Sequence, residues 1–501
     1  MLNLKGLSQP EEFWEYFEQI ANIPRCSQRE ERIRNFIRNE GIKFGFKTQV
    51  DKIGNLAIYI PAKSTKKEKL ILQCHMDMVC EKNDDVVHDF SKDPLKLKVI
   101  DIGEEKWLTA EGTTLGADDG NGICFNLSIM KKIHDGTLDF DSLSLTLLFT
   151  VLEEFNLGGA KNIDKELVDG TMLINLDSGG EGMITNGCTG GIGFIADIKT
   201  KPISVDTLDE QFNPLKLSIG GLIGGHSGGD INRGRANANK LLCHILWKLH
   251  KNYTIYISAI NGGNAANAIT REAYAIINAK EGDFEQIKST IRTLFTEIKK
   301  NYEDLEIHMQ ISIEKIKNST FNTIFSYDIQ ERLLNLLYLI PSGPLIIHPK
   351  IKSYAFASTN IGILKTEEKH LRIRMLHRSF NKFYNKSTCE QIITLLEMSG
   401  LEMVRTITGS YPPWEPKFDS KLLNLAKSAY KELFEQDPIV ILIQGGLEST
   451  LLINLNPQME AIAMGPTTVD VHSPNERLRV QSVEHTWKFL LNILKKLDSN
   501  S

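Results

Sequence analysis

Five short clusters of acids and imidazoles close or follow apolar stretches of the chain, and each holds side chains of the kind that bind divalent cations or move protons. The first, His75-Met76-Asp77, ends the run KLILQC. Residues two apart in an extended segment point to the same side, so His75 and Asp77 can share a site as a ligating imidazole and the carboxylate that orients it. Alone, HxD describes a solvated strand-end turn better. The second, Leu115-Gly116-Ala117-Asp118-Asp119-Gly120-Asn121-Gly122, is a Gly-rich turn before a helix. One Asp suffices there as an N-cap, which leaves the other carboxylate to bridge two cations. The third, Glu153-Glu154, ends SLTLLFTVL. Paired acids at the end of a buried strand repel unless a positive charge offsets them; if neighbours point opposite ways, one can bind metal and the other act as general base. Acids that merely mark where a strand reaches water look the same. Asp177 in INLDSGGEG and His472 in GPTTVDVHSPNE complete the set. Together they are N/O donors without a thiolate, which suits a pair of Zn²⁺ or similar ions about 3.5–4 Å apart. That reading accounts for all five clusters at once, whereas each alternative accounts for one.

The elements that must position these residues read as layered α/β. Apolar spacing predicts helices over 11–22 and 28–42, the second entered through Ser27 with Glu30 and Glu31 in its first turn. Short β runs follow in TQVDKIGNLAIYI and KLILQCHMDMV, separated by a Lys- and Ser-rich turn. The helical ICFNLSIMKKIHDG, the strand SLSLTLLFTVL and the strand TMLINLD then alternate. Polar clusters at the C-terminal ends of such strands are where open α/β sheets place their ligands. Beyond Gly187 the texture becomes an α+β insertion of strands and long amphipathic helices, with two β-α-β-β-α-β units expected, and from about 407 the α/β texture returns. The expected domains are therefore 1–188 with 407–501, and an inserted 189–406.

With 501 residues, 41% hydrophobic and 24% charged, the chain has the composition of a globular protein with a sizeable core. Lys plus Arg number 58 against 63 Asp plus Glu, a net charge of −5, so no basic excess exists to neutralise a phosphate backbone and nucleic acid is excluded as an expected partner. Cys26, Cys74, Cys80, Cys124, Cys188, Cys243 and Cys389 are odd in number and never form a CxxC pair, so neither a disulfide framework nor a thiolate zinc site is expected. The N-terminus shows no basic segment feeding an apolar one, and no window approaches a membrane span; a reducing cytoplasm and no membrane partner are the expectation.

The stretches QCHMDMVCEKN, TTLGADDGNGIC, NGCTGGIGF, GGHSGGDINRGRANANKLL, NGGNAANAITREA, GLES and GPTTVDVHSPNERL resemble the di-zinc peptidase family that contains carboxypeptidase G, aminoacylase, carnosinase and bacterial dipeptidases, and within it the dipeptidases that cleave aminoacyl-histidine. The resemblance implies a di-zinc aminopeptidase-like catalytic domain, a mixed sheet between helices, with an inserted lid domain of ferredoxin-like units. It implies that His75 and Asp177 hold one ion, His472 and Glu154 the other, and Asp118 both, with Glu153 as general base and Asp77 orienting His75. It further implies that His226 stabilises the oxyanion and that Asn267, Arg378 and the Gly445-Gly446 turn hold the substrate's terminal carboxylate. The implied cofactors are two divalent ions, zinc foremost, with cobalt or manganese accepted by the same donors. The implied reaction is cytosolic hydrolysis of Xaa-His and related dipeptides of the β-alanyl-histidine type by a metal-activated water. A homodimer through the lid is compatible with the pattern but not demanded by it. Asn156, Ala266 and Gln444 depart from the family's usual residues and bear on side-chain preference and rate. The rival readings are another amide hydrolase of the same fold, such as a tripeptidase, N-acyl amino acid deacylase or carboxypeptidase, and a non-catalytic peptide-binding relative.

Overall fold

The computed structural model describes residues 4–64, 68–208, 211–316 and 321–499; the first three residues of the N-terminal reading and residues 65–67 of the Lys- and Ser-rich turn lie outside the described residues. Two compact units form. The first comprises Met1–Gly187, Pro416–Leu442 and Leu447–Ser501, the second Cys188–Glu415 and Ile443–Gly446.

The first unit is built on an eight-stranded mixed sheet in the order Lys47–Val50, Leu56–Ile60, Leu143–Thr150, Glu68–His75, Met172–Asn175, Glu460–Ala463, Met183–Cys188, Ile439–Ile443. Its four central strands, Leu143–Thr150 to Glu460–Ala463, are mutually parallel. Such strands are covered on both faces and read as nearly continuous apolar runs, as LTLLF and LIL do here. Parallel strands also end on one side. The register sets His75 beside Thr150 and Gln73 beside Asn175, so the residues that follow each strand converge on one rim. Helices Glu11–Ala21, Ala117–His134 and Val480–Ser499 meet through Phe13, Phe125 and Trp487, with ring centroids 4.8 Å apart for Phe13–Phe125 and 6.2 Å for Phe125–Trp487. Ala117–His134 is buried on every side from Asp119 to Met130, which is why ICFNLSIM lacks a polar stripe. A separate four-stranded antiparallel sheet, in the order Thr468–Val469, Arg477–Arg479, Glu105–Ala110, Leu97–Ile102, anchors the segment around HSPNE.

The second unit carries a nine-stranded antiparallel sheet. Its path runs Gln310–Lys315, Phe212–Gly220, Ala273–Lys280, Ile255–Gly262, Ala355–Thr366, His370–Ser379, Gly190–Lys199, Met403–Tyr411, with Gly343–Ile347 also pairing with Ala355–Thr366. Residues 212–315 follow the order β-α-β-β-α-β, with helices Ala238–Asn252 and Phe284–Lys300. Leu242, Leu246 and Ile291 from these helices share one core with Leu217, Ile257 and Ile373 of the strands.

Three local expectations are corrected. Residues 407–415 continue the second unit, because Met403–Tyr411 pairs along Gly190–Lys199 and Trp414 bridges to Cys188. The second helix starts at Glu31, with Glu30 at its N-cap, and Ser27 instead donates its hydroxyl to Asp77 Oδ2 at 2.7 Å. Asp118 lies at the N-terminal end of Ala117–His134, where the Gly-rich turn before a helix was expected, and both it and Asp119 have non-helical dihedrals. Finally, Cys26 and Cys80 form a disulfide across 54 residues, while the other five cysteines are buried and outside any disulfide. Cys26 bridges to Met78, a contact between distant segments that cysteine spacing does not encode. Among the described residues no helix is long and apolar enough to cross a membrane.

Candidate metal centre

The rim of the parallel strands gathers the sequence-predicted ligands of the first unit around Asp118. His75 is fully buried, and its Nε2 lies 3.0 Å from Asp118 Oδ1 and 3.9 Å from Asp177 Oδ1. Asp118 Oδ2 lies 3.2 Å from His472 Nε2, which is itself 2.9 Å from Glu154 Oε1. That Glu154 oxygen is buried yet makes no aligned hydrogen bond, the arrangement of donor atoms that converge on a common point rather than on each other. Two groups able to hold a cation result, His75/Asp118/Asp177 and Asp118/Glu154/His472, with Asp118 in both; a third, His75/Glu153/Glu154, overlaps them, and within each group the ligand atoms lie within 4.8 Å of one another. Imidazole and carboxylate donors without thiolate fit Zn²⁺, Co²⁺ or Mn²⁺.

The electrostatics are those of crowded anions. Burial, and then the charges of Glu448, Glu154 and Asp118, push Glu153 well above the usual carboxylate range, His75 opposing them. Burial and the charge of Asp118 do the same to Asp177. The acids beside it, Asp118 first and then Glu154, push His472 up to about 10. Against the pull of burial, His472 and His75 hold Asp118 well below its ordinary value. Divalent cations would offset this excess of negative charge.

Several supporting residues join chain segments far apart in sequence. His75 Nδ1 lies 3.0 Å from the Asp77 carbonyl, whereas the Asp77 carboxylate stands 3.6 Å away. An Nδ1–H donated to that carbonyl would leave Nε2 free to ligate a cation. The Asp77 carboxylate accepts the backbone N–H groups of Glu153 at 3.0 Å and Glu154 at 3.2 Å, and so fixes the paired acids to the strand that bears His75. Asp119, its carboxyl pushed up to about 8 first by burial, accepts from Gly122 N and His75 N, a capping role beside Asp118.

Arg25, Glu476 and Glu448 have no place in the ligand clusters read from sequence. Arg25 is buried and donates to the carbonyls of Met76, Asp77 and Gly116. Glu476 accepts from Leu115 N, Gly116 N and Asp118 N, tying the HSPNE segment to the Asp118 turn. Glu448 Oε2 accepts from Gln73 Nε2 at 2.7 Å and Thr150 Oγ1 at 2.5 Å, while Gln73 Oε1 accepts from Asn175 Nδ2, so one polar chain links three strands under the ligands. The available signal was an acid inside an otherwise uncharged motif, in GLES and in HSPNE.

The remaining sequence-predicted residues, His226, Asn267, Arg378, Gly445 and Gly446, all belong to the second unit. The short strand Gly225–His226 pairs with Ala268–Ile269, and Ser227 N donates to Asn267 O at 2.8 Å, so His226 and Asn267 are neighbours. His226 Nδ1 accepts from Gly229 N at 3.1 Å. Burial and then the charge of Arg378 lower its pKa, so the ring is neutral at pH 7 with its proton on Nε2. Arg378 is buried, with Nη1 donating to Tyr411. Of the departures, Gln444 Nε2 donates to Ala355 O, the Ala266 carbonyl accepts from Asn360 Nδ2, and Asn156 is exposed at φ 63°.

Comparison with known proteins follows the same outline. Residues 217–306 match the family model described as a peptidase dimerisation domain. The chain is 32% identical over 503 residues to the cytosol non-specific dipeptidase of Escherichia coli (strain K12), covering 99% of each protein. The crystal structure of aminoacylhistidine dipeptidase from Vibrio alginolyticus superposes with a TM-score of 0.88 at 29% identity, covering 98% of this chain and 97% of that one. Aminopeptidase PepT from Bacillus cereus shares the fold, with a TM-score of 0.58 at 14% identity over 98% of this chain and 100% of its own.

Proposed function

From the premise that the chain belongs to the M20 peptidase family, with full-length similarity to its cytosolic dipeptidases, we propose that it is a cytosolic metallodipeptidase that hydrolyses Xaa-His and related dipeptides. The observation that carries this reading is the shared carboxylate: Asp118 faces both His75 and His472, each with a second acid beside it.

His75, Asp118 and Asp177 would hold one divalent ion and Asp118, Glu154 and His472 the other, with zinc the metal of first choice. When bound, such ions polarise the scissile carbonyl and bring the pKa of a ligated water to about 7. Glu153 is the general base: it takes the proton of the attacking water and passes it to the leaving amide nitrogen. Asp77 keeps Glu153 and His75 in one frame through the hydrogen bonds already described.

On the sequence resemblance, the Nε2–H of neutral His226 donates to the developing oxyanion, a contact of a type worth about 3–4 kcal/mol. Asn267, Arg378 and the Gly445-Gly446 turn receive the terminal carboxylate of the dipeptide. The match to a dimerisation domain over residues 217–306 supports a homodimer formed through the inserted unit.

The test is hydrolysis of a dipeptide panel that includes β-alanyl-histidine by zinc-loaded protein, with Glu153→Gln alongside. The expected result is cleavage by the parent and a loss of about 10²–10⁴-fold in kcat for the variant at unchanged metal content. Absence of cleavage by metal-replete parent protein would shift the assignment to a deacylase or a non-catalytic binder.

A further inference from the structure

The glycine-rich stretch Cys188-Thr189-Gly190-Gly191-Ile192-Gly193-Phe194 has a use that catalysis by the first unit does not explain. It enters the strand Gly190–Lys199, which lies between His370–Ser379 on one side and Met403–Tyr411 on the other. In that register Gly191 is the cross-strand partner of two residues at once, Arg378 and Tyr411. Residues on the two outer strands of a three-strand set normally have the middle residue's side chain between them. Here none exists. Arg378 Nη1 reaches across and donates to the Tyr411 hydroxyl at 2.7 Å. A Cβ placed on Gly191 would stand 2.7 Å from the Tyr411 ring and 2.8 Å from its hydroxyl, so only glycine leaves the passage open.

The register that delivers Tyr411 to this point is itself built. Between Ile407 and Ser410 the strand carries an extra residue, opposite only Phe194 to Ile192 on the partner. An added residue of this kind exchanges the faces on which all later side chains lie. The Thr408 carbonyl would be 2.1 Å from a Cβ on Gly193, so the bulge needs that second glycine.

We propose that Tyr411 is a carboxylate-recognition residue that works as a pair with Arg378, its hydroxyl accepting from the guanidinium and donating its own proton to the carboxylate of the substrate. This rests on the reading of Arg378 as the clamp for the dipeptide terminus. Three features support it. Arg378 is only 7% exposed and its Nε is buried without a hydrogen-bond partner among the described residues, so the guanidinium is aimed and incompletely used. An arginine held at one corner by a neutral hydroxyl keeps its full positive charge for an incoming anion, as pairing with an acid would not allow. The phenol is kept protonated, because burial raises its pKa more than Arg378 lowers it, and therefore remains a donor.

The experiment compares alanyl-histidine with alanyl-histidine amide, the amide serving as substrate or as competitive inhibitor, for parent, Tyr411→Phe, Gly191→Ala and Arg378→Gln in the full-length metal-loaded protein. Tyr411→Phe keeps the ring and removes only the hydroxyl. It is expected to raise KM for the free dipeptide about tenfold, as loss of one hydrogen bond to a charged group would, while kcat and the affinity for the amide stay within about twofold. Gly191→Ala is expected to reproduce this split by separating the pair. If Arg378→Gln weakens the free dipeptide selectively and Tyr411→Phe does not, the role of Tyr411 falls and the clamp stands. If Arg378→Gln itself shows no preference between acid and amide, the reading of Arg378 falls first.

Discussion

Replacing Glu476 by alanine tests how the candidate metal centre is held together. This residue is 2% exposed, and its two carboxylate oxygens accept three backbone N–H groups: Leu115 at 2.8 Å, Gly116 at 2.9 Å and Asp118 at 3.2 Å. Alanine leaves those donors without an acceptor in a place that water does not readily reach. At about 1–1.5 kcal/mol for each lost bond, the loss is about 3–4 kcal/mol. For a unit of this size that lowers Tm by about 10 °C. Because the third donor is the amide of Asp118 itself, the turn that presents the shared carboxylate loosens as well, and metal affinity should fall about 10–100-fold. Glu476→Gln separates charge from geometry. Its carbonyl oxygen can still serve Leu115 and Gly116, and it removes a charge that burial already disfavours, as the raised pKa of Glu476 indicates. Its stability should therefore fall by no more than about 1–1.5 kcal/mol, the cost of the one bond from Asp118 N that the amide nitrogen cannot accept. Thermal unfolding and competition with a chromogenic chelator read the two effects. An alanine variant with parental Tm and parental metal affinity would refute the idea that this carboxylate positions Asp118.

Three further outcomes are expected. Asp118→Ala removes the one carboxylate common to both ligand groups, so metal analysis after dialysis should find neither ion retained at full occupancy, and a protein still carrying both would overturn the bridging role. His377 is fully buried with its Nδ1 2.7 Å from Thr359 Oγ1, and burial pushes its pKa down to about 4, below the unfolded value of 6.5. Between those values the unfolded chain binds a proton that the folded one refuses, so stability falls on acidification by about 3 kcal/mol in all; His377→Gln should flatten that part of the stability–pH curve, and an unchanged slope would count against it. Cys26→Ser opens a loop with a sequence separation of 54 and should cost about 4 kcal/mol on the chain-entropy account. Thiol titration of the denatured, unreduced parent should find only the five cysteines outside the disulfide, and seven would contradict it.

Fold class was legible because it depends on local periodicity. Apolar runs such as SLTLLF and TMLIN between helical stretches leave few arrangements other than a parallel-centred sheet, and that arrangement puts whatever follows His75, Thr150 and Asn175 on one rim. Acids ending such strands were conspicuous for the same reason, since a buried strand does not need them. The separate sheet that anchors HSPNE was not legible, because Thr468–Val469 and Arg477–Arg479 are too short to carry a pattern of their own. Nor were the partners of single side chains. Ser27 reads as an N-cap because local chemistry offers that role, yet its hydroxyl lies on Asp77, fifty residues on. Glu476 reads as a polar residue after a proline, yet it holds an amide 358 positions earlier. The residue types and their order were thus determined by the sequence itself, through periodicity and the cost of burying charge. Which oxygen faces which nitrogen was decided only by the tertiary structure, since contacts between Asp118 and a histidine 354 residues away exist only when the core of the first unit has already closed the chain around them.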